Sequence, residues 1–186
     1  MKILVAYYSR TGTTERLAKA LARWLDADCD PITEDGRYEG ALGFGRAYLA
    51  GLTQVSCPVH ARRDPVPYDH VIIGGPVWVG HMPSPLRQYL TNPAVASRLV
   101  GAFCTGWTIA DGKKFFGEVE RLAGHRRFRS CSVTQRLCDD DLYQYPIARF
   151  SRILFPNLTK SKKNLANNNL NYAIAQNQFH TNNDNI

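Results

Sequence analysis

Three apolar runs constrain this chain most. "KILVAYY" (2–8), "HVIIGG" (70–75) and "RLVGAFC" (98–104) are nearly continuous in apolar residues, and helix-like stretches lie between them. A strand that alternates apolar with polar residues has one wet face, whereas an unbroken apolar run is buried on both faces. Such strands separated by helices form a parallel sheet with helices on both sides. Two shorter runs, "DCDPI" (28–32) and 129–134, bring the expected strands to five. The spacing predicts a helix over 13–26, where Leu17, Ala18, Leu21, Ala22 and Leu25 form one stripe. Further helices are expected over 83–90, opened by proline, over 112–123, and over 139–155 with Pro146 inside. Residues 38–52 read as a glycine-interrupted helix. Residues 53–69, with Pro58, Pro65 and Pro67, read as a connecting loop.

The chain has 186 residues, enough for one domain with a substantial core. That domain is expected over 1–156. In 157–186, ten of thirty residues are asparagine and the apolar pattern fades, so this stretch reads as a disordered tail. The apolar runs are too short to cross a membrane. The opening "MKILVAYYSR" is too short and too polar at its end for a signal peptide, so the cytoplasm is the expected location. The five cysteines (Cys29, Cys57, Cys104, Cys131 and Cys138) contain no CxxC pair and read as reduced thiols, with neither a disulfide framework nor a metal site. Cys104 and Cys131 lie in strand-like runs and read as core packing. The net charge is +7, concentrated in Arg62-Arg63, "HRRFR" (125–129) and "KSKK" (160–163). Such a surface suits acidic partners. No nucleic-acid module motif accompanies these charges, so they read as a solvated face and no nucleic-acid partner is expected.

The chemistry is concentrated in three turns that follow the three strong strands. The first, "YYSRTGTTER" (7–16), packs Ser9, Thr11, Thr13 and Thr14 around Gly12 at a helix start. Unpaired N–H groups and the positive dipole end make such a start an anion site. A capping box pairs Ser or Thr with Glu or Gln three positions on. Thr11 meets Thr14 and Thr13 meets Arg16, so capping does not account for four hydroxyls. Neither GxxxxGK[ST] nor GxGxxG is present. The turn therefore suits a small compact anion such as a terminal phosphate monoester.

The second turn is "GGPVWVGHMPSP" (74–85) and the third is "CTGWTIADG" (104–112). Each combines close-approach glycine with a tryptophan, Trp78 or Trp107. Trp78 either stacks on a flat ring or folds onto the core. His81 bonds either a ligand or its own loop. Ligands of doubly wound sheets bind beyond the carboxyl ends of strands, where all three turns fall. Together they describe a site for a phosphorylated planar molecule.

These segments, "YYSRTGTTERLAKAL", "YDHVIIGGPVWVGHMPSPLRQYL" and "VGAFCTGW", resemble the flavodoxin family over about residues 1–135. The resemblance implies an α/β, flavodoxin-like doubly wound sandwich: a five-stranded parallel sheet of order 2-1-3-4-5 with helices on both faces. It implies FMN as cofactor. The family's phosphate loop maps onto Ser9, Arg10, Thr11, Gly12, Thr13 and Thr14. The loops flanking the flavin ring map onto Pro76, Val77, Trp78, Val79 and Gly80, then Thr105, Gly106 and Trp107. Familiar carrier flavodoxins are acidic, while this chain is basic, and its third loop lacks their acidic and aromatic run. "VWVGHMPSP" is closer to flavodoxin-like oxidoreductases, including quinone reductases.

The expected function is electron transfer by FMN, from a reduced nicotinamide, NAD(P)H, to a quinone-like acceptor. The alternatives are a carrier serving an acidic redox protein and a flavin-free binding module on the same fold. No side-chain acid or base is required, and His81 is the one catalytic candidate.

Overall fold

The computed structural model describes residues 1–34, 58–124 and 127–158. The helix read over 38–52, the first residues of the 53–69 loop, Cys57 and the tail from 159 lie outside the described residues. Five strands form the main sheet: β1 (Ile3–Tyr7), β2 (Asp28–Pro31), β5 (His70–Pro76), β6 (Leu99–Gly106) and β7 (Arg129–Thr134). Their order is β2-β1-β5-β6-β7, every pairing parallel. Counting main-sheet strands alone, this is the expected 2-1-3-4-5, the flavodoxin-like doubly wound arrangement.

The buried strands explain the unbroken apolar runs. Leu4, Ala6, Val71, Ile73, Ala102 and Cys104 face one core, under α2 (Ser84–Leu90), α3 (Pro93–Ala96) and α4 (Gly112–Leu122). Ile3, Val5, Tyr7, Ile72, Phe103 and Val133 face the other, under α1 (Thr13–Leu25), α5 (Gln135–Asp139) and α6 (Gln144–Leu154). Successive side chains point to opposite faces, and both faces are covered. The α1 stripe read from the sequence is buried at all five positions.

Three elements differ from the sequence reading. The loop over 53–69 contains β4 (Val59–His60), which pairs antiparallel with β3 (Thr33–Glu34) in a separate two-stranded sheet. Two-residue strands are too short for a period to show. The closing helix is two helices, α5 and α6, with a turn between them. Pro146 is the third residue of α6, before the first intrahelical bond, from Ile147 N–H to Tyr143 C=O at 3.2 Å, so its missing N–H costs nothing there. Finally, β6 runs on to Gly106, so Thr105 and Gly106 are strand residues and not loop.

Gly74 serves packing. A Cβ there would collide with the Phe103 ring, so the close approach that the sequence suggested is to a core phenylalanine. The four described cysteines are free thiols, and burial pushes Cys29, Cys104 and Cys138 up to about 11 and Cys131 up to about 12. They stay protonated at neutral pH, as packing residues do. No described helix is long and apolar enough to cross a membrane.

Candidate functional site

The three turns meet at the carboxyl edge of the sheet, because parallel strands deliver their ends to one side. Tyr8 N–H donates to Gly74 C=O at 2.9 Å, joining the first turn to β5. Val77 N–H donates to Thr105 C=O at 2.8 Å, joining the second to β6. The Thr14 and Thr105 hydroxyls bond each other at 2.9 Å, both buried, and tie the helix start to β6.

The first turn keeps donors in reserve. Gly12 begins α1 with φ of 86°, a left-handed conformation that glycine adopts without strain, and no side chain caps the helix. Ser9 Oγ is buried and has no hydrogen-bond partner. The Thr11 and Thr13 hydroxyls share one long contact of 3.4 Å. Thr11 is exposed and Thr13 is buried at the helix start. An uncapped helix start and an orphaned hydroxyl are an incomplete hydrogen-bond inventory. Thr14 differs from its neighbours in turning its hydroxyl inward to Thr105. Half-buried Arg10 sits close enough to Glu34 for its charge to act on that carboxyl.

The second turn is a two-residue hairpin. Trp78 and His81 exchange backbone hydrogen bonds at 2.9 and 2.8 Å around Val79 (φ 52°) and Gly80 (φ 82°). Positive φ at both central residues suits a type I′ turn, in which glycine is at ease and a β-branched valine is strained. Pro76 and Val77, half-buried, lead into it from β5. Trp78 stands edge-on to Tyr8, ring centroids 5.4 Å apart and planes at 86°, and packs against the core. His81 Nδ1 lies 2.5 Å from Glu118 Oε1 of α4. Glu118 Oε2 in turn accepts from Arg87 of α2, Nε at 3.1 Å and Nη2 at 2.8 Å.

The third turn leaves its tryptophan outside. Trp107 is 84 % exposed and Ile109 71 %. The backbone beneath them is nonetheless pinned. Thr108 and Asp111 form a capping box, with Thr108 N–H donating to Asp111 Oδ2 at 2.8 Å. That backbone donor, with the Thr108 hydroxyl and Trp107 N–H, holds the Asp111 carboxyl below the ordinary aspartate range.

Two groups at this edge escaped the sequence reading. Tyr8 Oη donates to Glu34 Oε1 at 2.7 Å, while Glu34 Oε2 is buried without a partner. Burial raises the Glu34 carboxyl above its ordinary range, and the Tyr8 bond and Arg10 act the other way. Nothing in "ITEDGR" marks Glu34 as Tyr8's partner. The Arg87–Glu118 pair did leave a trace. Phe115, Glu118, Val119 and Leu122 are spaced as one helical stripe, so a carboxylate sits on an apolar face. A buried charge of that kind needs a partner.

No family model matches the chain. Among solved structures it is similar to a flavoprotein from Lactobacillus acidophilus NCFM in complex with FMN, at 18 % identity over 76 % of this chain and 97 % of that one, TM-score 0.58. It is also similar to a candidate flavoprotein from Bacteroides eggerthii DSM 20697, at 20 % identity over 76 % and 96 %, TM-score 0.60. A third, from Bacteroides uniformis ATCC 8492, matches at 21 % identity over 76 % and 97 %, TM-score 0.57. At these identities the likeness is one of fold, and the fold is flavodoxin-like.

Proposed function

We propose that this chain is an FMN-binding oxidoreductase that moves electrons from a reduced nicotinamide, NAD(P)H, to a quinone-like acceptor. The observation that carries the reading is the first turn: a helix start with no side-chain cap beside a buried, unpartnered Ser9 hydroxyl. A phosphate monoester supplies the acceptors those donors lack. The FMN complex of a protein with the same fold supports it.

In this reading Ser9, Thr11 and Thr13, with the backbone N–H groups of residues 10–14, hold the phosphate. Arg10 adds charge beside them. Thr14 acts from behind, fixing the turn to Thr105. Trp78, walled in by Tyr8, and exposed Trp107 cover the ring. The backbone of 76–80 and 105–107 meets its polar edge. When bound, the flavin supplies the electron transfer, and the chain binds, orients and shields it.

The purified protein should be yellow and release FMN on denaturation. Ser9→Ala should weaken FMN binding by about 1–3 kcal/mol, roughly five- to 150-fold, in a fluorescence titration. Riboflavin, which lacks the phosphate, should bind far more weakly than FMN, and equal affinities would refute the phosphate turn. NAD(P)H-dependent reduction of a quinone above the rate of free FMN tests the acceptor class.

One feature favours a second reading. Trp107, Ile109 and Val79 are exposed apolar residues on the loops of one edge, and the chain is basic. Such a rim suits an acidic redox protein docking over the ring. A yellow protein that turns over no quinone would favour this carrier role. A colourless protein that takes up no FMN would leave a binding module.

A further inference from the structure

His81 is joined to more than its loop requires. The hairpin is already closed by two backbone bonds between Trp78 and His81, and Arg87 Nη2 anchors its base by donating to Met82 C=O at 2.9 Å. The Arg87–Glu118 pair is electrostatically complete without a histidine, since the guanidinium meets the carboxylate through two nitrogens. Yet Glu118 Oε1 is turned to His81 Nδ1 at 2.5 Å.

The chemical consequence follows from the donor inventory. Glu118, braced by Arg87, is an acceptor, so Nδ1 carries the proton of the neutral ring and Nε2 is left with its lone pair. A carboxylate behind a histidine fixes the tautomer and stabilises the imidazolium when the second nitrogen is protonated. Nε2 makes no hydrogen bond to a described residue. The His81 side chain is 26 % exposed, while Glu118 and Arg87 behind it are 10 % and 9 %. Among the described residues, the charged groups set against this hairpin are Glu118 and Arg87, from α4 and α2, and Lys114 of α4, whose stem lies 3.5 Å from where a Gly80 Cβ would stand.

We propose that His81 delivers a proton to the carbonyl oxygen of the electron acceptor, with Glu118 as its positioning residue and Arg87 as the brace. The proposal rests on the reading of this edge as a flavin site. Reduced nicotinamide gives two electrons and one proton. A quinone-like acceptor becoming a hydroquinone takes two electrons and two protons. The second proton is the Nε2–H of imidazolium: that N–H bond breaks as the acceptor O–H forms, and neutral His81 then regains a proton from water.

The test separates anchoring from proton transfer. In His81→Asn the amide nitrogen stands near the position of Nδ1 and keeps the bond to Glu118, but carries no transferable proton. In the FMN-loaded protein, FMN affinity should stay within about twofold of wild type. The kcat for quinone reduction should fall on the order of 100-fold and lose its pH dependence between pH 5 and 8. Wild-type kcat in this variant overturns the proposal. A second measurement needs neither turnover nor flavin. Nitrogen-15 NMR of FMN-free wild type should show the neutral His81 ring protonated at Nδ1 and bare at Nε2. A ring protonated mainly at Nε2 overturns the proposal. A protein that takes up no FMN removes the flavin reading while the tautomer still decides the local claim.

Discussion

Trp78 and Trp107 close two loops built from similar parts, a glycine-containing strand end and a tryptophan, and their surroundings are opposite. Trp78 is half-buried, set edge-on against Tyr8, in a hairpin whose base is held through His81, Met82, Glu118 and Arg87. Trp107 is almost wholly exposed over a backbone held by its own capping box. One loop is a wall supported by two helices, and the other is a rigid shelf that presents an uncovered ring. A tryptophan on a loop says little until its support is known. The held ring is fixed by Tyr8 and the core, whereas the uncovered one has its surface open to solvent.

Truncation separates the two tryptophans most. Trp78→Ala should cost about 2 kcal/mol of stability, from lost packing and the edge-on Tyr8 contact, read as a shift in the urea midpoint. Trp107→Ala should change stability by less than about 0.5 kcal/mol. It should still weaken FMN binding roughly two- to tenfold if that ring covers the flavin. Equal destabilisation by both would erase the distinction.

Next in size is the shelf itself. Asp111→Ala removes one arm of the capping box and should cost about 1 kcal/mol. The same contact carries a pH signature. The folded Asp111 carboxyl titrates below its unfolded value because Thr108 N–H, first of all, stabilises the charged form. Its contribution is therefore present above the unfolded range and is lost as pH falls through the folded value. Protection factors of the 107–111 amides, referred to the slower intrinsic exchange in acid, should fall on acidification in wild type and lose that acid dependence in the Ala variant.

The smallest effect sharpens the hairpin. Val79 holds φ of 52°, where a β-branched residue is strained and asparagine is tolerated. Val79→Asn should raise stability by about 0.5–1 kcal/mol, seen as a higher Tm. A lower Tm would mean that the valine side chain makes contacts worth more than the strain.

The sheet was readable because its signal is local and repeated. "ILVAY", "HVIIGG" and "LVGAFC" each bury both faces, and that requirement is written residue by residue. The crowding of hydroxyls about Gly12 was equally plain, since a helix start and its loop are contiguous in the chain. The support of the site was not readable. Thr14 finds Thr105 across 91 positions, His81 finds Glu118 across 37, and Tyr8 finds Glu34 across 26.

By itself, then, the sequence determined a parallel sheet covered on both faces and a run of hydroxyls and glycine at the end of its first strand. Hydrophobic periodicity and turn chemistry act over a few residues and need no knowledge of the rest. The tertiary structure alone decided which hydroxyl turns inward, which tryptophan is walled in and which carboxylate backs the histidine. Those choices depend on which strand ends and helices come to lie side by side, and pairings of that kind between distant residues have no period in the chain.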